Sequence, residues 1–411
     1  MEYCERLTWE PEKPAIRRSL FVIRYVRKGN TMRSLLAITG LVVLTCSPLQ
    51  MHAAEPLNAD QTFQAIASHP FHPLNEDGSF TNDRGSGKHG VANLDDEDWK
   101  VRLLAIRDLL LAFPDHSQQV RGGLKHDNVH VRQITAAALG IGRDEESIPA
   151  LTQLLESDPS ALVRSQAAMS LGQLESNESV NLLTKRFESD PSRDVRHQCE
   201  LALDQIAKKA GATQDQLKAF KNLDEGQFER VVVGETAPAF SLKDTEEQSW
   251  ALNAQRGKWV VLIWIFADWC PVCHSEFNDL IKLQSEFAEL DAVVATIECH
   301  DRYRCRLMVG RETDALYWFS KNSFQKRYQD GIWWPHLSDL AGRVGATYGV
   351  DPMAFAVHAE YVNRPSTIII DPEGIVRFAY FGTYWGDRPT MNQTLEMIRN
   401  EKFDFVHPNR R

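Results

Sequence analysis

An apolar, β-branched run from Val260 to Ala267 leads into Cys270-Pro271-Val272-Cys273, and apolar residues at helical spacing follow: Phe277, Leu280, Ile281, Leu283, Phe287 and Leu290. The run reads as a buried strand over 259–267, and the spacing after it as a helix over 272–290. Both sulfurs then sit on the first turn of a helix entered from a strand. Unpaired backbone N–H groups and the helix dipole favour an anion there. A thiolate is the species that attacks disulfides and peroxides. Two cysteines this close can also close a disulfide with each other. The competing readings are half of a zinc site or two core cysteines. A structural zinc site wants a second Cys or Cys/His pair, and no second C-x-x-C or H-x-H follows, so redox chemistry is the expectation.

At 411 residues the chain is too long for one typical core, and two domains are expected. Residues 1–54 carry eight lysines and arginines against four glutamates, a net +4 that leaves −14 of the chain's −10 on the rest. An acidic body excludes nucleic acid as the natural partner, because binding there rests on neutralising phosphates. The leader joins Arg24, Arg27, Lys28 and Arg33 to an apolar run from Leu35 to Thr45 and to Ala53-Ala54. That is the pattern of a signal peptide, with Met32 as the expected start. Export to the periplasm or cell envelope follows, and contact with a membrane only through an uncleaved leader. The apolar run is shorter than a bilayer span requires. Removing the leader would leave Cys199, Cys270, Cys273, Cys299 and Cys305, too few for a disulfide-stapled scaffold.

Residues 55–94, rich in Pro, Gly, Asn, Asp and Ser, read as a linker. A repeat follows. Val101-Arg102, Val131-Arg132, Val163-Arg164 and Val195-Arg196 recur at intervals of 30, 32 and 32, each preceded by Asp96, Asp127, Asp158 or Asp190. Each is followed by an amphipathic Ala/Leu-rich stretch. A period of this length built from two helices is a solenoid signature. The aspartates are expected to cap helices and pair with the arginines, Gly140 and Gly172 to end helices, and Cys199 to be a core residue. Residues 95–228 thus resemble short bacterial HEAT-like repeats, which implies an all-α partner-binding scaffold with no chemistry of its own.

From 229 to 411 strands are predicted at 259–267, 292–298, 366–371 and 375–381, and helices at 272–290, 312–328, 339–348 and 390–401, an α/β layer pattern. Four stretches carry a resemblance: Gly234-Glu-Thr-Ala-Pro-Ala-Phe-Ser-Leu242, Trp269-Cys-Pro-Val-Cys273, Trp334-Pro-His-Leu-Ser-Asp339 with Val344-Gly-Ala-Thr-Tyr-Gly-Val350, and Arg364-Pro-Ser-Thr-Ile-Ile-Ile-Asp-Pro-Glu-Gly374. Together they are similar to the thioredoxin-fold branch of AhpC/TSA redoxins and ResA/TlpA-type thiol–disulfide oxidoreductases. The resemblance implies catalytic Cys270 and Cys273, with support from Trp269, Pro271, Arg364 and Pro365; no ligand set has a recognisable spacing, so no cofactor or metal is expected. It makes Pro365 a candidate cis-proline.

The two branches of that family divide the sulfurs differently. In disulfide exchange, Cys270 is the exposed nucleophile and Cys273 resolves the mixed disulfide. In peroxiredoxins the pattern P-x-x-x-T-x-x-C places the attacking sulfur on Cys273, with Arg364 near the peroxide. Here Phe266 replaces that Pro and Cys270 that Thr. Thiol–disulfide exchange on exported proteins is therefore the favoured expectation. Thiol peroxidase is one alternative, and a partner-binding protein with a regulatory or metal-binding cysteine pair is another. Cys299 and Cys305 form a possible second redox pair. They are open to a local disulfide, an electron relay, or a soft metal with His300, His336 or His358.

Overall fold

The computed structural model describes residues 58–71, 74, 98–312, 328, 331–350, 355–357, 360–382 and 386–406. The leader, all of 75–97 including Asp96, and most of the helix expected over 312–328 lie outside these residues, as does His358. No helix among the described residues is long and apolar enough to cross a membrane.

Eight α-helices among the described residues precede the sheet: α1 (Ala59–Ser68), α2 (Asp98–Gly122), α3 (Val129–Ile141), α4 (Ile148–Ser157), α5 (Ala161–Gln173), α6 (Val180–Ser189), α7 (Arg193–Lys208) and α8 (Gln214–Lys221). Helix α1 falls inside the expected linker. Asn58 and Gln61 close its N-terminus as a capping box, and it buries Phe63 and Ile66. Helices α3, α5 and α7 stack in succession as one layer, with α4 and α6 outside them. Leu151, Leu155 and Leu183 of the outer layer are fully buried, each contributing about 1.5–3 kcal/mol.

The repeat residues are what join successive turns. Arg132 donates to the Asp158 carboxylate at 2.7 and 3.1 Å, and Arg164 to Asp190 at 3.0 and 3.0 Å. Each carboxylate belongs to the next repeat. The same guanidinium reaches back through Nη1 to a carbonyl of its own repeat, Asp127 or Asp158, at 2.9 Å. Arg102 departs from this pattern, donating to Gln133 at 2.8 Å and lying over the Phe71 ring.

Two expectations are corrected here. Asp158 and Asp190 do not cap α5 and α7. They sit two residues before the N-caps Ser160 and Ser192 and accept those residues' backbone N–H at 2.9 Å. Gly140 and Gly172 do not end helices either. A Cβ on Gly172 would lie 2.7 Å from Ala202 Cα, and one on Gly140 2.9 Å from Ser170 Cα. They are glycines because the next inner helix passes too close for a side chain.

The second half is a sheet ordered β2-β1-β5-β4-β3-β8-β9, from β1 (Ser241–Asp244), β2 (Ser249–Ala251), β3 (Trp259–Trp264), β4 (Ala292–Glu298), β5 (His336–Ser338), β8 (Ser366–Ile370) and β9 (Val376–Phe381). A separate hairpin pairs β6 (Phe355–Val357) with β7 (Glu360–Val362). Strands β3, β4 and β5 are parallel, and the others antiparallel. The helices among the described residues are α9 (Pro271–Lys282), α10 (Gln284–Glu289), α11 (Arg302–Met308), α12 (Arg343–Tyr348) and α13 (Met391–Asn400). The single helix expected over 272–290 is thus two, broken at Leu283, and α12 begins only after a 3₁₀ turn at Leu340–Gly342. The short strands β1, β2 and β5, and helix α11, carry too few residues for a periodic signal. Both faces of the sheet are covered, so Val260 to Trp264 are all buried, which is why β3 reads as a continuous apolar run.

Candidate active site

The loop from Ile265 to Cys270 leaves the carboxyl end of central strand β3, where open α/β sheets place their sites. Cys270 is the N-cap of α9, with φ −73° and ψ 117°. This is the extended conformation imposed on a residue before proline, and Pro271 takes the first helical position, where a missing N–H costs nothing. Cys273, Phe277 and Leu280 follow at one-face spacing and are buried together. Helical phase therefore turns the Cys273 sulfur inward.

All five described cysteines are free thiols. Cys270 is 1 % exposed and Cys273 0 %, so the expectation of an exposed Cys270 is corrected. Cys273 Sγ accepts the Phe266 backbone N–H at 3.3 Å and Arg388 Nη2 at 3.3 Å. The rest of that guanidinium is fixed by oxygen: Nη1 donates to the Trp264 carbonyl at 2.8 Å, Nε to Glu276 Oε1 at 2.5 Å, and Nη2 also to Glu276 Oε2. Glu276 lies one helical turn after Cys273, so β3, α9 and the loop before α13 meet at one sulfur.

The electrostatics reverse the expected order of the two thiols. Burial pushes Cys273 up. The hydrogen bond from Cys270, the Arg388 charge and the Phe266 N–H outweigh it, bringing Cys273 down from an ordinary 9.0 to about 7. Cys270 is pushed well above its ordinary value by donating to Cys273, by burial and by the charge of its neighbour. Cys273 ionises first, and Cys270 is the thiol that stabilises it.

Trp269 packs edge-on against Phe266 at 5.8 Å. Arg364 and Pro365 lie at the start of β8, where Ser366 pairs with Trp264, and the Pro365 carbonyl accepts the Gly382 N–H at 2.7 Å. No peptide bond among the described residues is cis, so Pro365 is trans, contrary to the expectation. The guanidinium seen on Cys273 is that of Arg388, not of Arg364 as the family register suggested. Arg388 and Glu276 were missed by sequence reasoning. The available signal was slight: an Asp-Arg-Pro between a strand and a Thr-capped helix, with no periodicity to mark Arg388 as buried.

Cys299 and Cys305 are buried and unbridged, and burial drives both thiols well above the usual range. His300 and His336 converge on the buried Glu298: Nδ1 of His300 lies 2.7 Å from Oε1, and Nε2 of His336 3.1 Å from Oε2. Burial raises the pKa of Glu298, but these two hydrogen bonds hold it well below the carboxylate range. Glu298, Cys305 and His336 bring ligand-type atoms within 4.8 Å of one another, as do Asp268, Glu298 and His300. His336 also reaches Thr296 at 2.8 Å through its other ring nitrogen. A cleft of about 1210 Å³ lined by Lys209, Lys218, Lys243, Arg302 and Arg343 opens elsewhere and includes neither Cys270 nor Cys273.

Residues 233–379 match the AhpC/TSA family, and residues 90–171 and 142–204 match HEAT repeats. Alkyl hydroperoxide reductase E of Mycobacterium tuberculosis is 30% identical over 148 residues, 36% of this chain and 83% of that protein. A putative peroxiredoxin in the rubredoxin operon of Clostridium pasteurianum is 28% identical over 36% of this chain and 77% of its own length. Thioredoxin-like protein YneN of Bacillus subtilis is 28% identical over 40% of this chain and 79% of its own. With HEAT repeats ahead of a redoxin domain whose two thiols share one buried charge, the chain belongs to the AhpC/TSA family and is a thiol-dependent oxidoreductase or peroxidase.

Proposed function

We propose that this protein is a thiol peroxidase in which Cys273 attacks and Cys270 resolves. The observation that carries the reading is the pair of donors on Cys273 Sγ, Arg388 Nη2 and the Phe266 N–H. Both favour the thiolate and would stabilise charge on a bound peroxide oxygen. A sulfur with no exposed surface also suits a small electrophile better than a protein disulfide. The Cys273 thiolate displaces the distal oxygen's leaving group, giving a sulfenic acid and, after protonation, an alcohol or water. The Cys270 thiol then condenses with the sulfenic acid to a disulfide and releases water. An external dithiol restores both thiols by exchange.

Peroxide consumption by the full chain tests this. Cys270→Ser should accumulate a sulfenic acid at Cys273, and Cys273→Ser should fall to the background rate. A Cys273→Ser protein that still reacts, beside an inert Cys270→Ser protein, would sink the assignment. Disulfide exchange initiated by Cys270 remains the second reading, favoured by the Cys-Pro-Val-Cys spacing and by Cys270 standing at the family's Thr position. Insulin reduction by the unaltered protein, with Cys273→Ser stopping at a mixed disulfide between insulin and Cys270, would establish it. Export to the periplasm or envelope belongs to the same proposal, supported by the basic and apolar leader, and N-terminal sequencing of the secreted protein checks it.

A further inference from the structure

Helix α7, the last of the three stacked inner helices, reaches the thiol loop through α11. Leu201 of α7 is 3 % exposed and packs with Tyr303 and Leu307 of α11, and Trp269 lies against the same cluster. The Tyr303 hydroxyl donates to Asp204 of α7. Lys208 of α7 meets Asp204 at 3.5 Å and Glu312 at 3.3 Å, and Arg306 holds Glu312 at 2.7 Å. From its other side α11 grips the thiol loop: Arg304 Nε and Nη2 donate to Asp268 at 2.8 and 2.5 Å, a pair whose side chains are 7 % and 1 % exposed. The Asp268 carbonyl meets His274 Nε2 at 2.6 Å, which ties the loop to α9 as well. Asp268 and Trp269 immediately precede Cys270.

We propose that α7 of the solenoid is a positioning element of the redox site, holding α11 so that Asp268 and Trp269 set Cys270 against Cys273. Repeats would otherwise be a separate scaffold. Here Leu201, Tyr303, Arg304 and Asp268 form a continuous packed path from solenoid to thiol. The path has a chemical consequence because the Cys270 hydrogen bond is among the groups that keep Cys273 ionised. A shift of the loop lengthens that bond, and misplacement by about 1 Å can lower a rate by about 10²-fold. The inference rests on Cys270 and Cys273 being the reacting pair.

The test uses the full-length chain with Leu201→Ala, and Leu183→Ala as a control of the same kind. Leu183 is fully buried in α6 and outside this path. The readouts are the pH midpoint of Cys273 alkylation and kcat/KM for hydrogen peroxide. Leu201→Ala should raise the midpoint and slow the reaction about tenfold, while Leu183→Ala leaves both within about twofold. A folded Leu201→Ala protein that matches Leu183→Ala in both readouts overturns the inference. Should Leu201→Ala fail to fold, Tyr303→Phe removes one oxygen from the same path, and an unchanged midpoint and rate there overturn it equally. Cys273→Ser keeps the two levels apart. If it stays active, the functional reading fails, whereas inactive Cys273→Ser beside unaffected path variants defeats only the role of α7.

Discussion

Both halves of the molecule bury an arginine against a carboxylate, and the two pairs do different work. In the solenoid, Arg164 spends its donors on oxygen: the Asp190 carboxylate and the carbonyls of Asp158 and Pro159. In the redox domain, Arg388 gives Glu276 and the Trp264 carbonyl their bonds and still directs Nη2 at a sulfur. The first arrangement is a joint between repeats. The second is a fixed positive charge delivered to a titratable nucleophile. A buried ion pair thus acquires a functional role when one of its donors faces a group that changes charge.

The sharpest way to break this comparison is to remove each arginine. Arg388→Met should slow peroxide reaction about 10²-fold, the size of losing one preorganised donor, and should move the Cys273 alkylation midpoint from about 7 toward its ordinary 9.0. Pairing it with Glu276→Gln avoids leaving a buried charge unpaired. Because the Glu276 charge itself raises Cys273, a midpoint in the double variant no higher than in Glu276→Gln alone would end the claim that Arg388 tunes Cys273. Arg164→Ala leaves Asp190, whose side chain is 0 % exposed, without its bidentate partner, with Arg186 at 3.7 Å as a weaker remaining one. Urea unfolding should show a loss of about 3–5 kcal/mol, with the thiol midpoint unchanged. A shifted midpoint would erase the distinction between the two pairs.

The pH dependence has a definite sign. The folded Cys273 pKa is depressed to about 7 from 9.0, so its thiolate contributes stability that is fully present above pH 9 and lost as pH falls through 7. Alkylation and peroxide rates should rise with pH through about 7 and then level off. A midpoint near 9 would contradict the geometry. A smaller effect is expected from Gly172→Ala, whose Cβ would sit 2.7 Å from Ala202 Cα. Overpacking of this kind costs about 1–3 kcal/mol in thermal or urea unfolding, with the thiols untouched. Least of all should happen with Cys299→Ala. Burial holds that thiol protonated, and the peroxide rate should stay within about twofold.

The same contrast explains what could be read in advance. The solenoid was legible because a period of 30–32 residues repeats one set of constraints. The pairing of its arginines with the repeat aspartates was legible as well, but not that Arg132 and Arg164 bond forward, to the carboxylate of the following repeat. The Cys-Pro-Val-Cys pair and the strand before it were equally clear, because local chemistry alone puts a sulfur at a helix start. Which sulfur ionises was misjudged. That depends on α9 turning Cys273 inward and on Arg388, 115 residues later, arriving from a loop without pattern. Pro365 was misjudged for a related reason, its peptide geometry being set by the sheet around it.

The sequence by itself determined a helical repeat array, a redoxin domain and two cysteines on one helical turn, because each is written in local spacing that any window of residues reveals. The tertiary structure alone decided that Arg388 and Glu276 meet Cys273, that Cys270 serves as donor to it, and that α7 leans on α11 beside the thiol loop. Those features depend on residues distant in the chain sharing a low-dielectric interior. There, the Cys270 hydrogen bond, the Arg388 guanidinium at 3.3 Å and the Phe266 N–H together outweigh burial and set the order in which the two thiols lose their protons.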